Sequence, residues 1–326
     1  HPNPHTTSRL GGSELFIRHR PYPARRTNRS RPDAESLVSY HRDAQRIYFQ
    51  PTDRHPAHRD PNQDRRAPPP EQQRASLYEV MEKAAAFFEA SLATSQGRHA
   101  RDYLHSRGLN EDAISRFRLG YAPSSRYGLK EHLAASGITS QQMVEAGLLV
   151  SGDDIAVPFD RFRDRVMFPI PDSRGRIIAF GGRALSPDVP AKYLNSPETP
   201  LFSKRGVLYN YAAARKPAQD QGTVIVAEGY TDVIALAMAG FENAVAPLGT
   251  ALTDRQLALL WRLAPEPVLC FDGDAAGQRA ALRAVETALP DLKPGYSLRF
   301  AFLPEGQDPD DLIRSAGAGA MGEVLE

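Results

Sequence analysis

The sequence predicts an α/β protein. An α+β subdomain (residues 76–221) precedes an α/β domain with a mostly parallel sheet (residues 222–315). An apolar pattern of helical period starts near residue 76, and a hairpin pattern lies near residue 170. After residue 222, short apolar strands alternate with helices. Such alternation is typical of a parallel sheet covered on both faces.

The first subdomain opens with an amphipathic helix whose apolar residues recur at helical spacing: Leu77, Val80, Met81, Ala84, Phe87, Phe88 and Leu92. Shorter helices are predicted at 97–106, 111–117, 128–135 and 140–146, with Asn110 and Thr139 as N-caps. The β-rich runs Val166–Ile170 and Arg176–Phe180 flank Pro-Asp-Ser-Arg-Gly, which predicts a hairpin. Residues 181–215 are rich in Pro and polar residues and predict a long functional loop.

The second domain is predicted to contain four strands: Thr223–Ala227, Ala244–Leu248, Val268–Phe271 and Leu298–Leu303. Helices are predicted between them, at 231–239, 253–263 and 276–289. Past residue 311 the chain becomes rich in Gly and Ala and predicts no clear final element. Residues 316–326 are assigned to the truncated start of the following helical region.

Composition separates the N-terminal segment from the rest. Residues 1–70 hold 13 Arg, no Lys and 7 acidic residues, a net charge of +6, whereas residues 71–326 carry −5. With 11 Pro and no periodicity, residues 1–75 are predicted to be disordered or aberrant. No apolar run is long enough to span a bilayer, and the single Cys270 excludes an internal disulfide. A reducing, cytoplasmic location is therefore expected, with no membrane association.

Acidic residues follow three of the predicted strands: Glu228 and Asp232, Asp272 and Asp274, and Asp308 and Asp310. The carboxyl ends of parallel strands meet at one edge of a sheet, and Mg²⁺ prefers oxygen ligands. Taken singly, each acid is explained as a helix cap or a turn residue. Clustered carboxylates repel one another unless a cation compensates, so the joint pattern favours a metal site. Gly273 and Gly277 permit a tight turn and close backbone approach.

Two motifs carry a family resemblance. Glu228-Gly-Tyr-x-Asp232, followed by Asp272-Gly-Asp274-x-Ala-Gly277, resembles the Toprim domain of topoisomerases, primases and some nucleases. Segments of the subdomain before it resemble the polymerase core of bacterial DnaG-type DNA primases: 161–170, Phe180–Arg183, 192–199 and Phe202–Lys204. The resemblance runs from about residue 76 to 315.

This resemblance implies synthesis of RNA primers on a single-stranded DNA template from NTPs, in DNA replication. Glu228, Asp272 and Asp274 would be the catalytic Mg²⁺ ligands, with Mn²⁺ as an alternative ion. Asp232, Asp308 and Asp310 would complete the acidic rim. The resemblance assigns template and nucleotide phosphates to Arg116, Arg161, Arg163, Arg183, Lys192, Asn195 and Lys204. Without it, Arg161, Arg163 and Arg165 are equally explained as one exposed strand face, and the two lysines as solvated loop residues.

The sequence departs from the family pattern at both ends. The family carries a zinc-binding module and a C-terminal domain that docks on the replicative helicase. We expect this chain to lack the zinc ligands, because a single Cys cannot supply them, and to lack the helicase-docking domain. A non-catalytic single-stranded-DNA-binding remnant therefore stays open as an alternative. A topoisomerase would need a nucleophilic tyrosine in a DNA-gate domain, and the related nucleases need an ATPase with a Gly-rich phosphate loop, which does not occur.

Overall fold

Helix α1 (Pro70–Ala93) is the first element of the computed structural model, which describes residues 70–189, 191–249 and 251–326. The predictions for residues 1–69 lie outside the described residues. Helix α1 starts six residues earlier than the apolar pattern suggests. Proline is tolerated in a first helical turn and Glu and Gln are good helix formers, so the helix extends upstream of its apolar face.

The first sheet is antiparallel and has the order β1-β4-β5-β6. Its strands are β1 (Gly120–Ala122), β4 (Arg165–Pro171), β5 (Ile177–Ala184) and β6 (Tyr193–Asn195). Strands β2 (Leu149–Val150) and β3 (Phe159–Asp160) form a separate antiparallel pair. The buried side chains of α1 pack on this sheet, and a Cβ at Gly120 would lie 2.6 Å from the Cβ of Phe88. The close approach explains why β1 begins with glycine.

Four short helices complete the first subdomain: α2 (Arg98–Ser106), α3 (Glu111–Arg116), α4 (Gly128–Ala135) and α5 (Ser140–Glu145). Both predicted N-caps are confirmed. Asn110 Oδ1 accepts a hydrogen bond from the Ala113 amide at 2.9 Å, and Thr139 Oγ1 accepts one from the Gln142 amide at 3.2 Å. The predicted hairpin is also confirmed, since β4 and β5 pair in antiparallel register.

The predicted loop at 181–215 contains more regular structure than its polarity suggests. Strand β5 continues to Ala184, β6 pairs with it, and helix α6 (Tyr211–Gln221) ends the segment. Gly181 and Gly182 lie on β5, where the absence of a side chain permits close packing. A Cβ at Gly181 would lie 2.5 Å from Tyr230 Cζ, and one at Gly182 would lie 2.9 Å from Phe162 Cδ1.

The second sheet is entirely parallel, with the order β10-β9-β7-β8, and confirms the predicted fold class. Its strands are β7 (Ile225–Val226), β8 (Ala244–Val245), β9 (Val268–Phe271) and β10 (Arg299–Phe302). The helices that connect and flank them are α7 (Tyr230–Met238), α8 (Asp254–Leu263), α9 (Ala275–Ala288) and α10 (Pro309–Leu325).

Alternating residues of the parallel strands face two different apolar clusters. Ile225 and Cys270 face α7, α10 and part of the antiparallel subdomain, whereas Val226 and Leu269 face α6, α8 and α9. Helix α6 therefore packs on the parallel sheet, although the predicted boundary at residue 222 assigns it to the first subdomain. One apolar cluster contains residues of both sheets, so the parallel sheet and the antiparallel sheet are held in place against each other.

The prediction that the chain has no clear final element was wrong. Helix α10 runs to Leu325, with a non-helical backbone at Gly317 (φ 83°), and it buries Leu312 and Met321 against the core it shares with α7. The Gly- and Ala-rich composition concealed the few apolar anchors that hold it. No helix within the described ranges is long and apolar enough to cross a membrane.

Candidate active site

The first acidic pair follows β7. Glu228 lies two residues past the end of the strand and is exposed, and Asp232 lies in the first turn of α7. The Asp232 side chain is buried, and its Oδ2 accepts a hydrogen bond from the Gly229 amide at 3.0 Å. Its Oδ1 is buried with no hydrogen-bond partner among the described residues. A buried carboxylate oxygen without a donor fits a cation bound beside it.

The second pair follows β9. Asp272 comes directly after the strand, and Asp274 caps α9 by accepting hydrogen bonds on Oδ1 from the amides of Ala276 and Gly277, each at 2.8 Å. A Cβ at Gly277 would lie 2.0 Å from the Asp272 carbonyl oxygen, and one at Gly273 would lie 2.1 Å from the Leu303 carbonyl oxygen. The predicted requirement for close backbone approach is thereby confirmed at both glycines.

The third pair follows β10 and is already engaged by arginines. Asp308 caps α10 through a 2.7 Å hydrogen bond from the Asp311 amide. Asp310 is 1% exposed, pairs with Arg107, and accepts from Arg314 at 3.2 Å. Carboxylate oxygens of Asp308, Asp310 and Asp311 lie within 4.8 Å of one another, a spacing that suits a shared metal ion. Asp311 was not predicted as a site residue, although it directly follows Asp310.

The electrostatics of the acidic cluster favour a bound cation. Burial, with repulsion from Asp308, Asp310 and Asp272, raises the pKa of Asp232 to about 8. Partial desolvation of the carboxyl groups and repulsion from neighbouring carboxylates also raise the pKa of Glu228 and of Asp272. Ionising each of these carboxyl groups therefore costs free energy, and a divalent cation bound beside them would remove that cost. The residues present therefore fit a Mg²⁺ ion.

A cleft of about 450 Å³ joins four of these acids to basic and aromatic residues of the antiparallel subdomain. Of the predicted site residues, it is lined by Glu228, Asp232, Asp272, Asp308, Arg183, Lys192 and Asn195. Tyr103, Arg107 and Tyr193 also line it. Acids thus lie on the side of the parallel sheet and cations on the side of β5 and β6.

Arg183 is held by an aromatic ring. Its guanidinium carbon lies 3.8 Å from the centroid of the Tyr103 ring, and its Nη1 donates to the Ala184 carbonyl at 2.9 Å. A cation stacked this way keeps its plane fixed while its remaining donors stay available for a phosphate.

Asn195 links the two parts of the chain. Its Oδ1 accepts from the Tyr230 hydroxyl at 2.7 Å, and its Nδ2 donates to the Leu248 carbonyl at 3.1 Å. Its backbone carbonyl also accepts from Arg161 Nη2 at 3.0 Å. Asn195, which the resemblance assigns to nucleotide binding, thus fixes β6 against the parallel sheet through its side chain.

Four predicted cations do not line this cleft. Arg116 pairs with Glu242 at 2.8 Å on the surface, and Arg161 donates to the Asn195 carbonyl. Arg163 donates to the Asp160 carbonyl at 2.6 Å, and Lys204 opens a short 3-10 turn.

The positions of the basic residues differ from expectation in two respects. Arg161 and Arg163 lie between β3 and β4, so the alternative explanation of a single strand face was wrong. Of that trio, only Arg165 lies on β4, where it is buried and donates to the carbonyls of Gly182 and Ala191, each at 3.0 Å. Sequence reasoning missed Arg107, whose only signal is a place at the end of α2, far in sequence from the acids it meets.

The chain is similar to known DNA primases over most of its length. The model of the DNA primase catalytic core N-terminal domain matches residues 87–215, and the Toprim domain model matches residues 222–299. The DNA primase of Pseudomonas aeruginosa is 50% identical over 246 residues, which are 75% of this chain and 37% of that protein. The chain thus spans well under half the length of this relative.

Two solved structures share the fold. A DNA primase domain from Pseudomonas aeruginosa has a TM-score of 0.72 and 49% identity, covering 76% of this chain and 78% of that one. A DnaG primase catalytic domain bound to single-stranded DNA has a TM-score of 0.71 and 44% identity, covering 78% and 79%. The chain therefore belongs to the DnaG-type DNA primase family, within which it matches the N-terminal domain of the catalytic core and the Toprim domain.

Proposed function

We propose that this chain is the polymerising part of a DNA primase, which synthesises short RNA primers from NTPs on a single-stranded DNA template. The observation that carries the proposal is the cleft in which acids from three strand ends face Arg183 and Lys192. Joining nucleotides requires a 3′-hydroxyl to attack an α-phosphate while pyrophosphate leaves. Such a reaction needs acids to hold metal ions and cations to hold phosphates.

The acids would hold Mg²⁺. Glu228, Asp272 and Asp274 are the proposed catalytic ligands, and Asp232, Asp308 and Asp310 the supporting ones. When bound, the ion would lower the pKa of the attacking hydroxyl and neutralise charge on the pyrophosphate. The unpartnered Asp232 oxygen and the raised pKa values of Asp232 and Asp272 support this assignment.

Arg183 and Lys192 would bind phosphate groups opposite the acids. The Tyr103 ring orders Arg183, so less side-chain freedom is lost when its donors meet a phosphate. Arg107 has a different task in this arrangement. It contacts Asp308 at 3.4 Å and also pairs with Asp310, and so balances part of the acidic charge.

A second basic surface suits the template strand. The guanidinium carbons of Arg126 and Arg163 lie 4.4 Å and 5.0 Å from the centroid of the Phe159 ring. The Lys130 Nζ lies 5.5 Å from the centroid of the Tyr127 ring. Cations interleaved with aromatic rings are typical of surfaces that bind single strands. A related primase catalytic domain has been solved with single-stranded DNA, which supports binding of a single strand but does not concern this surface in particular. Action on chromosomal DNA in the bacterial cytoplasm follows from the same proposal.

The test supplies a primed template, so that extension is measured without initiation. The protein is mixed with single-stranded DNA carrying an annealed RNA primer, labelled NTPs and Mg²⁺, and product length is read on a gel. Extended RNA is expected, with loss of product for Asp272→Asn and for Glu228→Gln. Asp153→Asn, an exposed acid between β2 and β3, is the matched control and should extend the primer normally.

The same experiment separates the two functions considered. Binding of the template without any extension, under conditions where all variants remain folded, would favour a single-stranded-DNA-binding protein without catalysis. Extension that survives both Asp272→Asn and Glu228→Gln would place the chemistry outside this acidic cluster.

A further inference from the structure

Tyr193 is an exposed aromatic side chain in the wall of the cleft. It is 40% exposed and lies on β6, the edge strand of the antiparallel sheet. Seven other large apolar side chains within the described ranges are similarly exposed, and none of them lines this cleft. Exposing an aromatic ring to water forgoes favourable burial, so a ring kept open between charged groups calls for an explanation.

Packing within the protein does not account for this position. Along β6, Leu194 packs against the core under α1, whereas Tyr193 and Asn195 both line the cleft. The neighbouring ring of Tyr230 is 6.2 Å away and tilted by 41°, so the face of Tyr193 is not covered by a stacked partner there. Arg183 is stacked by Tyr103 at 3.8 Å and does not depend on Tyr193.

The surroundings of the ring fit a nucleotide. Lys192 and Arg183 line the same cleft as Tyr193 and can hold a phosphate, while the acids lie across from them. A tyrosine side chain is uncharged at pH 7, so the ring presents a face free of charge. An aromatic face beside phosphate-binding cations is the arrangement on which nucleobases stack.

We propose that Tyr193 is a base-stacking residue of the cleft, which receives a nucleobase on its ring while Lys192 and Arg183 hold the adjoining phosphate. The inference rests on the proposed function of the same cleft. The base belongs either to the template strand or to the incoming NTP, and the experiment has one arm for each source. Stacking of this kind positions the base without distinguishing among the four bases, because every base offers a similar aromatic face.

The test uses 2-aminopurine, whose fluorescence is quenched when it stacks on an aromatic ring. In the first arm the full chain is titrated, in EDTA, into 12-nucleotide single-stranded DNAs that carry one 2-aminopurine at successive positions. In the second arm it is titrated into 2-aminopurine riboside triphosphate in the presence of Mg²⁺. The variants are Tyr193→Phe, which keeps the ring, and Tyr193→Leu and Tyr193→Thr, which remove it.

Wild type and Tyr193→Phe are expected to quench the reporter in at least one arm. Both ring-less variants should lose that quench and bind the same ligand roughly 5- to 150-fold more weakly, the range measured for removing one stacking ring. Tyr296→Leu removes a tyrosine of similar exposure (41%) that precedes β10, on the opposite edge of the sheet from the acids, and should behave as wild type. Thermal unfolding of every variant identifies any that does not fold. If one of the two ring-less variants is unfolded, the other one is used for the comparison.

Quenching that persists in the ring-less variants, or that is absent from wild type in both arms, would overturn the inference. So would equal losses in Tyr193→Phe and Tyr193→Leu, because the hydroxyl rather than the ring would then matter. The DNA arm contains no catalysis. If the wild-type chain stacks the base but extends no primer, the proposed function alone is refuted. If the wild-type chain extends primers but the ring-less variants quench the reporter as strongly as wild type, the stacking role of Tyr193 alone is refuted.

Discussion

Replacing Gly181 with alanine is expected to disturb the joint between the two sheets. The added Cβ would lie 2.5 Å from Cζ and 2.6 Å from the hydroxyl oxygen of Tyr230. The Tyr230 ring has little room to retreat. It stacks on Phe168 with centroids 5.0 Å apart and meets the edge of Tyr209 at 4.8 Å. Strand β5 or the first turn of α7 must therefore move by about 1 Å, since ordinary carbon contacts begin near 3.5 Å.

The cost follows from two effects. Overpacking a core typically costs about 1–3 kcal/mol, and losing the 2.7 Å hydrogen bond from Tyr230 to Asn195 costs about 0.5–1.5 kcal/mol. The free energy of unfolding should thus fall by about 2–4 kcal/mol. For a folded unit of this size, the melting temperature should fall by about 4–16 °C. Tyr230 lies between Glu228 and Asp232, so primer extension should fall by about 100-fold or more.

Thermal and denaturant unfolding measure the change in stability, and the primed-template assay measures the change in extension. Gly206→Ala is the matched control, because its added Cβ meets nothing within 4 Å and its backbone is not left-handed. A double-mutant cycle with Tyr230→Leu isolates the clash, since Gly181→Ala should cost under about 1 kcal/mol once the ring is gone. A Gly181→Ala protein within about 0.5 kcal/mol of wild type would refute the reasoning.

Three further predictions concern stability. Asn110→Ala should lower the free energy of unfolding by about 1 kcal/mol, because the Ala113 amide loses its cap. Gly319→Ala in α10 should raise it by about 0.4–1 kcal/mol, because the new methyl group meets nothing within 4 Å. Burial raises the pKa of Asp160 to about 6, so its neutral form is favoured in the folded state. Its stabilising contribution, of order 3 kcal/mol, is present below about pH 3.8 and is lost as the pH rises through about 6.

Denaturant unfolding measures all three. For Asp160 the comparison is wild type against Asp160→Asn at pH 4.5 and pH 7.5, and the stability of wild type relative to the variant should be greater at the lower pH. A difference that does not change with pH would contradict the burial argument. An Asn110→Ala protein as stable as wild type, or a Gly319→Ala protein that is less stable, would contradict the other two.

The parts of the fold that the sequence predicted correctly are mostly those signalled by short local patterns. The N-caps Asn110 and Thr139 and the hairpin of β4 and β5 are signalled within a few residues, and the structure has them where the sequence indicates. Helix α10 was missed because its stability comes from tertiary contacts of a few anchors, such as Met321, within a run of Gly and Ala. Tertiary packing of this kind leaves little periodic signal.

The acids and the basic residues differ in how much of their position a sequence can convey. Strand topology brings Glu228, Asp272 and Asp308 to one edge, so alternating strands and helices are enough to group them. Long cationic side chains follow no such rule. Arg116 was expected in the cleft and instead pairs with Glu242, whereas Arg107, nine residues earlier, meets Asp308 and Asp310. Which arginine turns inward depends on the docking of α2 beside α10.

The most direct test of the proposed metal site replaces Mg²⁺ with Fe²⁺ and maps cleavage of the protein backbone by locally generated hydroxyl radicals. Cuts are expected close to residues 228, 272 and 308 together, because the ends of all three strands meet at one ion-binding edge of the sheet. Excess Mg²⁺ should suppress these cuts, and Asp272→Asn should abolish them. Cleavage confined to other parts of the chain, or unchanged by Asp272→Asn, would contradict the account.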